Sequence, residues 1–270
     1  MTLHQWSVLS SPIRKTACRS FLRFLVCHLS TRLCTVLMKL FPMNNAMTYE
    51  EYIQYHRGGD AGVEEKMIAS LSKHFGLSRW NSFRLAYFYA TTYHIPSALE
   101  LLCNPKTPKT ELKFRTDRRY VRIGDTFDRI MRELSPNLLE ELDKATTTTE
   151  QYKVVSSWYY FGRYAAFLFL EVWAKLSGKQ IVDDLALKFE PDENYTRGAE
   201  IIAGTQNLEK LTAFIERAKV DANDNVFALE TSLCAVAKLK KGTRWNGFYT
   251  ERLLNDVAGS KWENTIISLL

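Results

Sequence analysis

The fold is decided by residues 150–178, which read EQYKVVSSWYYFGRYAAFLFLEVWAKLSG. Apolar residues recur through this stretch at alternating steps of four and three positions, the spacing of one helix face. Between Trp158 and Trp173 the opposite face is apolar too, and a helix that is apolar all round lies inside a protein. Gly178 stands where a C-terminal cap is expected. The stretch therefore predicts a central apolar helix of about 20 to 27 residues.

The chain on either side of this stretch is also helical in pattern. Thr48 and Glu51 have the spacing of a capping box, and Asp60 and Ser78 can each cap a further helix. No segment shows sustained period-two alternation, so a sheet is not expected. We predict an all-α fold, with a single multi-helix globular domain of about ten helices over residues 48–270.

The positive charge of the protein lies at one end of the chain. The 270 residues contain 36 Lys and Arg against 30 Asp and Glu, a formal charge of +6. Six of the basic residues lie in residues 1–42, which contain no acidic residue, and without these six the two counts are equal at 30. A general positive field that would attract DNA is therefore excluded for residues 48–270, and a nucleic-acid site there must be a local cluster.

Residues 1–42 form a basic N-terminal extension with three interpretations. In the first, the segment is translated from upstream of a true start at Met43 or Met47. In the second, it is a targeting or membrane-surface helix, and in the third it is a helix docked on the domain. Charged residues interrupt every window long enough to span a bilayer, so stable membrane insertion is not expected. We expect a cytoplasmic protein, with targeting by this extension left open.

The cysteines and the known catalytic motifs point to a chain without a metal or cofactor. Three of the five cysteines lie in residues 1–42, and the isolated Cys103 and Cys234 lack the spacing of a zinc site or a disulfide framework. The motifs GxxxxGK[ST], GxGxxG, GxSxG and HExxH are absent, so the sequence gives no support for a kinase, a dinucleotide enzyme, a serine hydrolase or a zinc protease.

His94, beside Tyr93, is a possible site residue, although a structural role is commoner for such a histidine.

Two clusters combine arginine with aromatic residues. Residues 113–122 place Arg118, Arg119 and Tyr120 among further basic side chains, a pattern that can hold phosphates and stack a base or that forms a solvated helix face. Arg163 lies within the apolar stretch, so its guanidinium needs a carboxylate, carbonyl groups or a bound anion, and an ion pair with another helix is the simplest partner.

Two further clusters lie near the C-terminus. Glu230 and Cys234 are one helical turn apart beside an apolar stripe, so Glu230 can act as a general base while Cys234 lines a pocket. Residues 242–252 form a glycine-bracketed turn before a helix, in which Arg244 and Arg252 can cradle a phosphate.

Three stretches together resemble the phage and prophage amino acid:DNA transferases and the related thymine-hypermodification proteins, the α-glutamyl/putrescinyl-thymine pyrophosphorylases. They are residues 80–99 (WNSFRLAYFYATTYHIPSAL), residues 118–121 (RRYV), and residues 230–252, with ETSLCA at the start and RWNGFYTER at the end. The resemblance covers roughly residues 48–260.

The resemblance implies an enzyme that acts on DNA in which the thymine methyl group has been hydroxylated and then phosphorylated or pyrophosphorylated by a partner kinase. An amino acid or polyamine would displace the phosphate group from the methylene carbon. Glu230 would take the proton of the amine, and the phosphate or DNA would be bound by Arg118, Arg119, Arg163, Arg244 and Arg252. The pocket for an extruded base would be formed by Tyr87, Tyr93, Tyr120, Cys234, Trp245 and Tyr249.

Two other interpretations remain. The first is a non-catalytic helical module of a DNA-modification system that binds DNA or a partner enzyme, in which Glu230 is structural and the arginines hold backbone phosphates. The second is a structural or toxin-like protein that does not bind DNA.

Overall fold

The computed structural model describes residues 47–58, 62–178, 193–223, 226–240 and 246–270. In these ranges the chain forms thirteen α-helices, two 3₁₀ helices and no strand, and residues 46–270 form one compact unit. The prediction of a single all-α globular domain is confirmed. No helix in these ranges is long and apolar enough to cross a membrane. The basic extension, residues 1–42, lies outside the described residues.

The α-helices are numbered here in chain order. They are α1 Tyr49–Gly58, α2 Val63–His74, α3 Arg79–Thr92, α4 Ile95–Cys103, α5 Thr126–Glu133, α6 Pro136–Lys144, α7 Thr148–Ser157, α8 Arg163–Ser177, α9 Asn194–Ala203, α10 Leu208–Ala222, α11 Val226–Lys240, α12 Asn246–Val257 and α13 Glu263–Leu269. The 3₁₀ helices are Lys109–Glu111 and Thr116–Arg122.

Several helices begin where the local sequence predicts. The Thr48 backbone N–H donates to Glu51 Oε2 at 2.7 Å and the Glu51 N–H donates to Thr48 Oγ1 at 3.2 Å, which completes the predicted capping box. Ser78 Oγ accepts the N–H of Asn81 at the start of α3, as predicted. The predicted cap Asp60 lies outside the described residues, and α2 begins after Gly62, whose φ is 73°.

The prediction of one long central helix over residues 150–178 is wrong. The stretch forms two helices, α7 and α8, separated by a turn over residues 158–162. Tyr160 in this turn has a φ of 62°, a left-handed conformation that no continuous α-helix contains. The apolar side chains continue across the turn, because Trp158 and Phe161 are also buried in the core. Periodicity therefore reports burial here and does not reveal the change of backbone direction.

The centre of the domain is a cluster of aromatic rings between α3, the turn and α8. Phe83 packs edge to face against Trp158, Phe169 and Trp173 at centroid distances of 5.8, 5.5 and 5.7 Å. Tyr87 stacks on Phe161 at 4.8 Å. Such pairs contribute about 0.5–1.5 kcal/mol each beyond the burial of their area, so the cluster fixes the relative positions of α3 and α8.

Helices α9 and α11 lie in backbone contact at Gly198. A Cβ atom built at this residue would lie 2.1 Å from the carbonyl oxygen of Leu233. No side chain can occupy that space, so the closeness of the two helices depends on glycine at this position. The contact places Glu230, one turn before Leu233 on α11, beside α9 and α8.

We expect the substitution Gly198→Ala to lower the free energy of unfolding by about 1–3 kcal/mol or more, because α9 must move away from α11. Chemical denaturation with urea measures the change. Gly162→Ala is the matched control, since a Cβ at Gly162 meets no atom within 4 Å, and the loss there is about 1 kcal/mol at most from a weaker N-cap. Equal stability of the two variants would contradict the close contact.

Candidate functional site

A group of polar and charged side chains is gathered where α2, the α3–α4 junction, the second 3₁₀ helix and α12 meet. We call it the Glu64 cluster, and its members are Glu64, Tyr89, Tyr93, His94, Arg115, Arg252 and Asp256. These residues come from positions up to 192 apart in the sequence, so only the folded chain assembles them.

Glu64 lies at the centre of the cluster and is buried. Its two carboxylate oxygens accept hydrogen bonds from Tyr89 Oη at 2.7 Å, from Arg115 Nη2 at 2.9 Å, and from Arg252 Nε and Nη2 at 3.3 and 3.1 Å. Burial alone would raise the pKa of Glu64, but Arg115 and Arg252 lower it on balance. Glu64 is therefore a charged anchor for two arginines at neutral pH.

Arg115 joins the anchor to the edge of the cluster. Its Nη2 atom also contacts the carboxylate of Asp256, and its guanidinium lies over the Tyr93 ring, 5.1 Å from the centroid. The Nε and Nη1 atoms are buried and have no hydrogen-bond partner among the described residues. Arg115 thus has two buried N–H groups that no described residue of the protein accepts.

His94 is held in one orientation by its role as the N-cap of α4. Its Nδ1 atom accepts the backbone N–H of Ser97 at 3.2 Å, so the neutral ring carries its proton on Nε2. Burial and the nearby charges of Arg115 and Lys113 lower the pKa of His94 to about 4. The Nε2 atom is 3.9 Å from Asp256 Oδ1 and has no hydrogen-bond partner in the described ranges. His94 is therefore a neutral donor at pH 7, positioned beside Asp256.

Tyr93 and Arg252 were both predicted as site residues, and the fold brings them into contact. Arg252 Nη2 donates to Tyr93 Oη at 3.2 Å, and the guanidinium lies 5.2 Å from the centre of the same ring. Tyr93 can reach this position because it ends α3 in a left-handed conformation, with a φ of 52°. Arg252 and Asp256 lie one turn apart on α12, so both project from one face of that helix.

Glu230 and Arg163 form a second charged site. Arg163 Nη2 lies 3.4 Å from Glu230 Oε1, which joins α8 to α11 by the kind of interhelix ion pair expected from the sequence. The guanidinium also lies 4.8 Å from the Phe167 ring centre and 4.5 Å from that of Tyr195. Burial raises the pKa of Glu230 to about 7, although Arg163 opposes the shift. A carboxylate with that pKa can exchange protons near neutral pH.

The other predicted residues of the basic segment differ in their exposure. Arg118 is buried and donates from Nε to the Thr91 carbonyl at 3.2 Å and from Nη1 to the Tyr160 carbonyl at 3.0 Å. It therefore braces the turn before α8 and does not face solvent as the sequence suggested. Arg119 and Tyr120 are exposed and contact each other, with the guanidinium 4.8 Å from the ring centre.

Of the remaining predicted residues, Tyr87 and Cys234 are described and are not members of the Glu64 cluster. Tyr87 is buried in the aromatic centre and donates to the Ile130 carbonyl at 3.1 Å. Cys234 is a partly buried thiol on α11. Arg244 and Trp245 lie outside the described residues, and of Tyr249 only the backbone, within α12, is described.

Sequence reasoning missed Glu64, Arg115 and Asp256. Glu64 and Asp256 look like ordinary solvent-facing acidic residues of amphipathic helices, and Arg115 looks like one more member of a basic run. Their neighbours in the cluster, Tyr93, His94 and Arg252, all lie within the stretches quoted above for the resemblance. Residues 80–99 and 230–252 meet at the contact between Tyr93 and Arg252, and residues 118–121 join them where Arg118 bonds to the Thr91 carbonyl.

A groove elsewhere on the domain does not belong to this site. It encloses about 610 Å³ between the C-terminal ends of α2 and α8 and the start of α3, and it is lined by Lys73, Arg79 and Trp173 among others. Arg79 is already paired with Asp143 and lies over the Trp173 ring. No predicted site residue whose side chain the structure describes lines this groove.

Comparison of the chain with protein-family models, curated proteins and solved structures gives no match. In the described part of the chain, no group of three or more His, Cys, Asp and Glu side chains is arranged to hold a metal ion. The site must therefore be interpreted from its own geometry.

We expect Glu64→Gln to lower the free energy of unfolding by about 3–5 kcal/mol, because Arg115 and Arg252 lose their buried counter-charge. Urea denaturation at pH 7 measures the loss. Glu133→Gln is the matched control, since Glu133 forms an exposed pair with Arg129, worth about 0.5 kcal/mol or less. A Glu64→Gln protein as stable as the control would show that the cluster does not hold the fold together.

The lowered pKa of His94 predicts a loss of stability in acid. The unfolded histidine binds a proton below about pH 6.5 whereas the folded one resists it down to about pH 4, so the free energy of unfolding falls by about 3 kcal/mol across this window. His94→Asn keeps an N-cap acceptor and removes the titrating group. Thermal unfolding of both proteins from pH 7 to pH 4 should show a steeper decline for the wild type, and parallel curves would refute the assignment.

Proposed function

We propose that the protein transfers an amino acid or another amine onto an activated, phosphorylated or pyrophosphorylated 5-hydroxymethyluracil in DNA, with loss of phosphate or pyrophosphate, and that the Glu64 cluster is its reaction centre. The observation that carries this proposal is the meeting of residues 80–99 and 230–252 at the contact of Tyr93 with Arg252. Stretches that resemble one family come from distant parts of the sequence and converge on a cluster with the chemistry that the reaction requires.

The first requirement is a cationic site for the leaving group. Displacement at the methylene carbon puts negative charge on the departing phosphate oxygens, and arginine forks stabilise such charge. Arg115 and Arg252 are held side by side by Glu64, and Arg115 has two N–H groups without a partner in the described residues. His94 offers a third such donor from Nε2.

The second requirement is contact with DNA outside the reaction centre. The 3₁₀ helix Thr116–Arg122 exposes Arg119, Tyr120 and Arg122 while its Arg118 points inward. Tyr160 and Tyr164, in and after the neighbouring turn, are also more than a third exposed. Tyr164 contacts the Tyr93 ring at 5.9 Å, so aromatic surface continues from the exterior to the Glu64 cluster. Aromatic rings beside arginines suit both the backbone and an extruded base.

The non-catalytic module remains the second candidate, and a specific observation favours it. The charges within the Glu64 cluster are paired, with four hydrogen bonds to Glu64 alone. A network of this kind can have a purely structural role, in which it holds α2, α3 and α12 together. Transfer activity separates the two functions.

We expect the full chain to form aminated nucleosides when it is incubated with duplex DNA that contains pyrophosphorylated or phosphorylated 5-hydroxymethyluracil and a panel of amino acids and polyamines. Enzymatic digestion followed by mass spectrometry of the nucleosides measures the product. DNA binding at low salt without product for any amine would favour the module, and absence of DNA binding would favour a structural protein.

The variant Arg252→Lys tests the role of the cluster in this reaction. Lysine keeps the charge beside Glu64 but loses the two-pronged geometry, so we expect turnover to fall about 100-fold while the protein stays folded. Arg217→Lys is the matched control, because Arg217 is exposed and pairs with Asp221 on the same helix. Equal turnover of the two variants would place the reaction centre elsewhere.

A further inference from the structure

We propose that Asp256 takes the proton of the incoming amine, after the phosphate group of the activated nucleotide has displaced the Asp256 carboxylate from Arg115. This inference rests on the proposed function and names the base of the same site. It differs from the sequence-based expectation, in which Glu230 has that role.

The charges around Asp256 favour exchange of its carboxylate for an incoming anion. Arg115 and Arg252 contribute two positive charges to the cluster, Glu64 and Asp256 contribute two negative charges, and His94 is neutral at pH 7. Lys113 adds a positive charge close to His94 and Asp256. A phosphate or pyrophosphate group adds negative charge to this partly buried site, and the cost falls if an existing carboxylate moves out of contact with Arg115.

The two carboxylates differ in how firmly they are held. Glu64 is buried and accepts four hydrogen bonds, so it cannot leave without stranding both arginines. Asp256 lies at the edge of the cluster with 17% of its side chain exposed. Its carboxylate forms an ion pair with Arg115, and its Oδ1 atom lies 3.9 Å from His94 Nε2. Asp256 is therefore the carboxylate that an anion can displace.

The groups beside Asp256 are suited to a phosphate oxygen. Arg115 Nη2 contacts the Asp256 carboxylate, and His94 Nε2 lies 3.9 Å from Asp256 Oδ1. His94 Nε2 and the other two guanidinium nitrogens of Arg115 have no hydrogen-bond partner among the described residues. The His94 ring cannot turn to offer an acceptor, because Nδ1 is occupied by the Ser97 N–H. N–H donors match an oxyanion and not a cation.

A displaced Asp256 carboxylate is a competent proton acceptor. Burial already raises the pKa of Asp256 from its usual range, with Arg115 opposing the shift. Loss of contact with Arg115 removes that opposition and leaves the carboxylate beside an added negative charge, so its proton affinity increases as the substrate binds. The phosphate that activates the carbon thereby also activates the base.

The step balances in atoms and electrons. The ammonium group of the amine gives one proton to Asp256, and the freed nitrogen lone pair forms the C–N bond at the methylene carbon. The C–O bond to the phosphate group breaks, and its electron pair leaves with the phosphate or pyrophosphate, which then takes the proton from Asp256. No oxidant or reductant is needed.

Glu230 is less well placed for this role. Its carboxylate contacts Arg163, and no hydrogen bond or ion pair joins it to a described member of the Glu64 cluster. The two sites are linked only indirectly, since Tyr164, the residue after Arg163, packs on Tyr93. A base at Glu230 would act at a distance from the arginines that hold the leaving group.

The first test measures inorganic pyrophosphate binding to the full-length protein by calorimetry. Asp256→Asn removes the carboxylate that competes for Arg115, so we expect the variant to bind pyrophosphate about tenfold more tightly than the wild type. Asp128→Asn is the control, because Asp128 is exposed and its Oδ2 atom forms a surface ion pair with Lys109 Nζ at 3.7 Å. Equal or weaker binding by Asp256→Asn would overturn the exchange at Arg115.

The second test measures turnover in the amine-transfer assay. We expect Asp256→Asn to lower kcat at least 100-fold while Asp256→Glu, which keeps a carboxylate, recovers part of it. If Glu230→Gln loses turnover and Asp256→Asn does not, the base is Glu230 and the proposal is wrong. Asp256→Ser replaces Asp256→Asn in both tests if the latter does not fold.

The two tests separate failure of this inference from failure of the proposed function. Pyrophosphate binding needs neither DNA nor an amine, so it decides the exchange at Arg115 even for a protein without transfer activity. A wild-type protein that binds pyrophosphate but transfers no amine would overturn the proposed function and the proton transfer together. A protein that transfers amines with an unaffected Asp256→Asn variant would overturn this inference alone.

Discussion

The buried carboxylate of Glu64 is the interaction on which the rest of the site depends. One side chain near the start of α2 holds Arg115 and Arg252, which come from the second 3₁₀ segment and from α12. The interior of a protein tolerates two guanidinium groups at this depth only beside such a counter-charge. Because Tyr93 packs against both arginines, the same carboxylate also fixes the end of α3 and the start of α4. The position of the α3–α4 junction therefore depends on the ion pairs of Glu64.

The aromatic centre and the Glu64 cluster have different roles in the domain. Phe83, Tyr87 and Trp158 supply a rigid apolar interior, and the polar cluster lies at its margin, where side chains retain some exposure. Arg118 connects the two regions, because its guanidinium lies 5.6 Å from the Phe161 ring centre while it binds the carbonyls of Thr91 and Tyr160. Arg118 thereby holds the end of α3 and the turn before α8 in fixed positions beside the aromatic core.

Local sequence signals were sufficient for the fold class and insufficient for the site. The caps at Thr48 and Ser78 depend on neighbours three residues away, so they could be predicted from the sequence alone. The break between α7 and α8 was missed because the core surrounds both sides of the turn and hides the change of direction from the apolar pattern. Tyr93 was found through a resemblance and Arg252 through the glycine-bracketed turn before its helix, whereas Glu64 and Asp256 depend on partners 51 and 141 residues away. Nothing in the local sequence specifies such pairs.

At Tyr160 the left-handed backbone conformation lowers the stability of the fold, while the side chain places an aromatic ring on the surface. A residue with a Cβ atom costs about 1–3 kcal/mol in this conformation, whereas asparagine or glycine adopts it far more readily. The turn keeps a large ring there, more than a third exposed, and clamps its carbonyl with a buried guanidinium. A search for thermostable variants would therefore select replacements at residue 160 early, and each replacement would remove an aromatic ring from the face that leads to Tyr164 and Tyr93. Selection for stability and selection for function would separate at this residue.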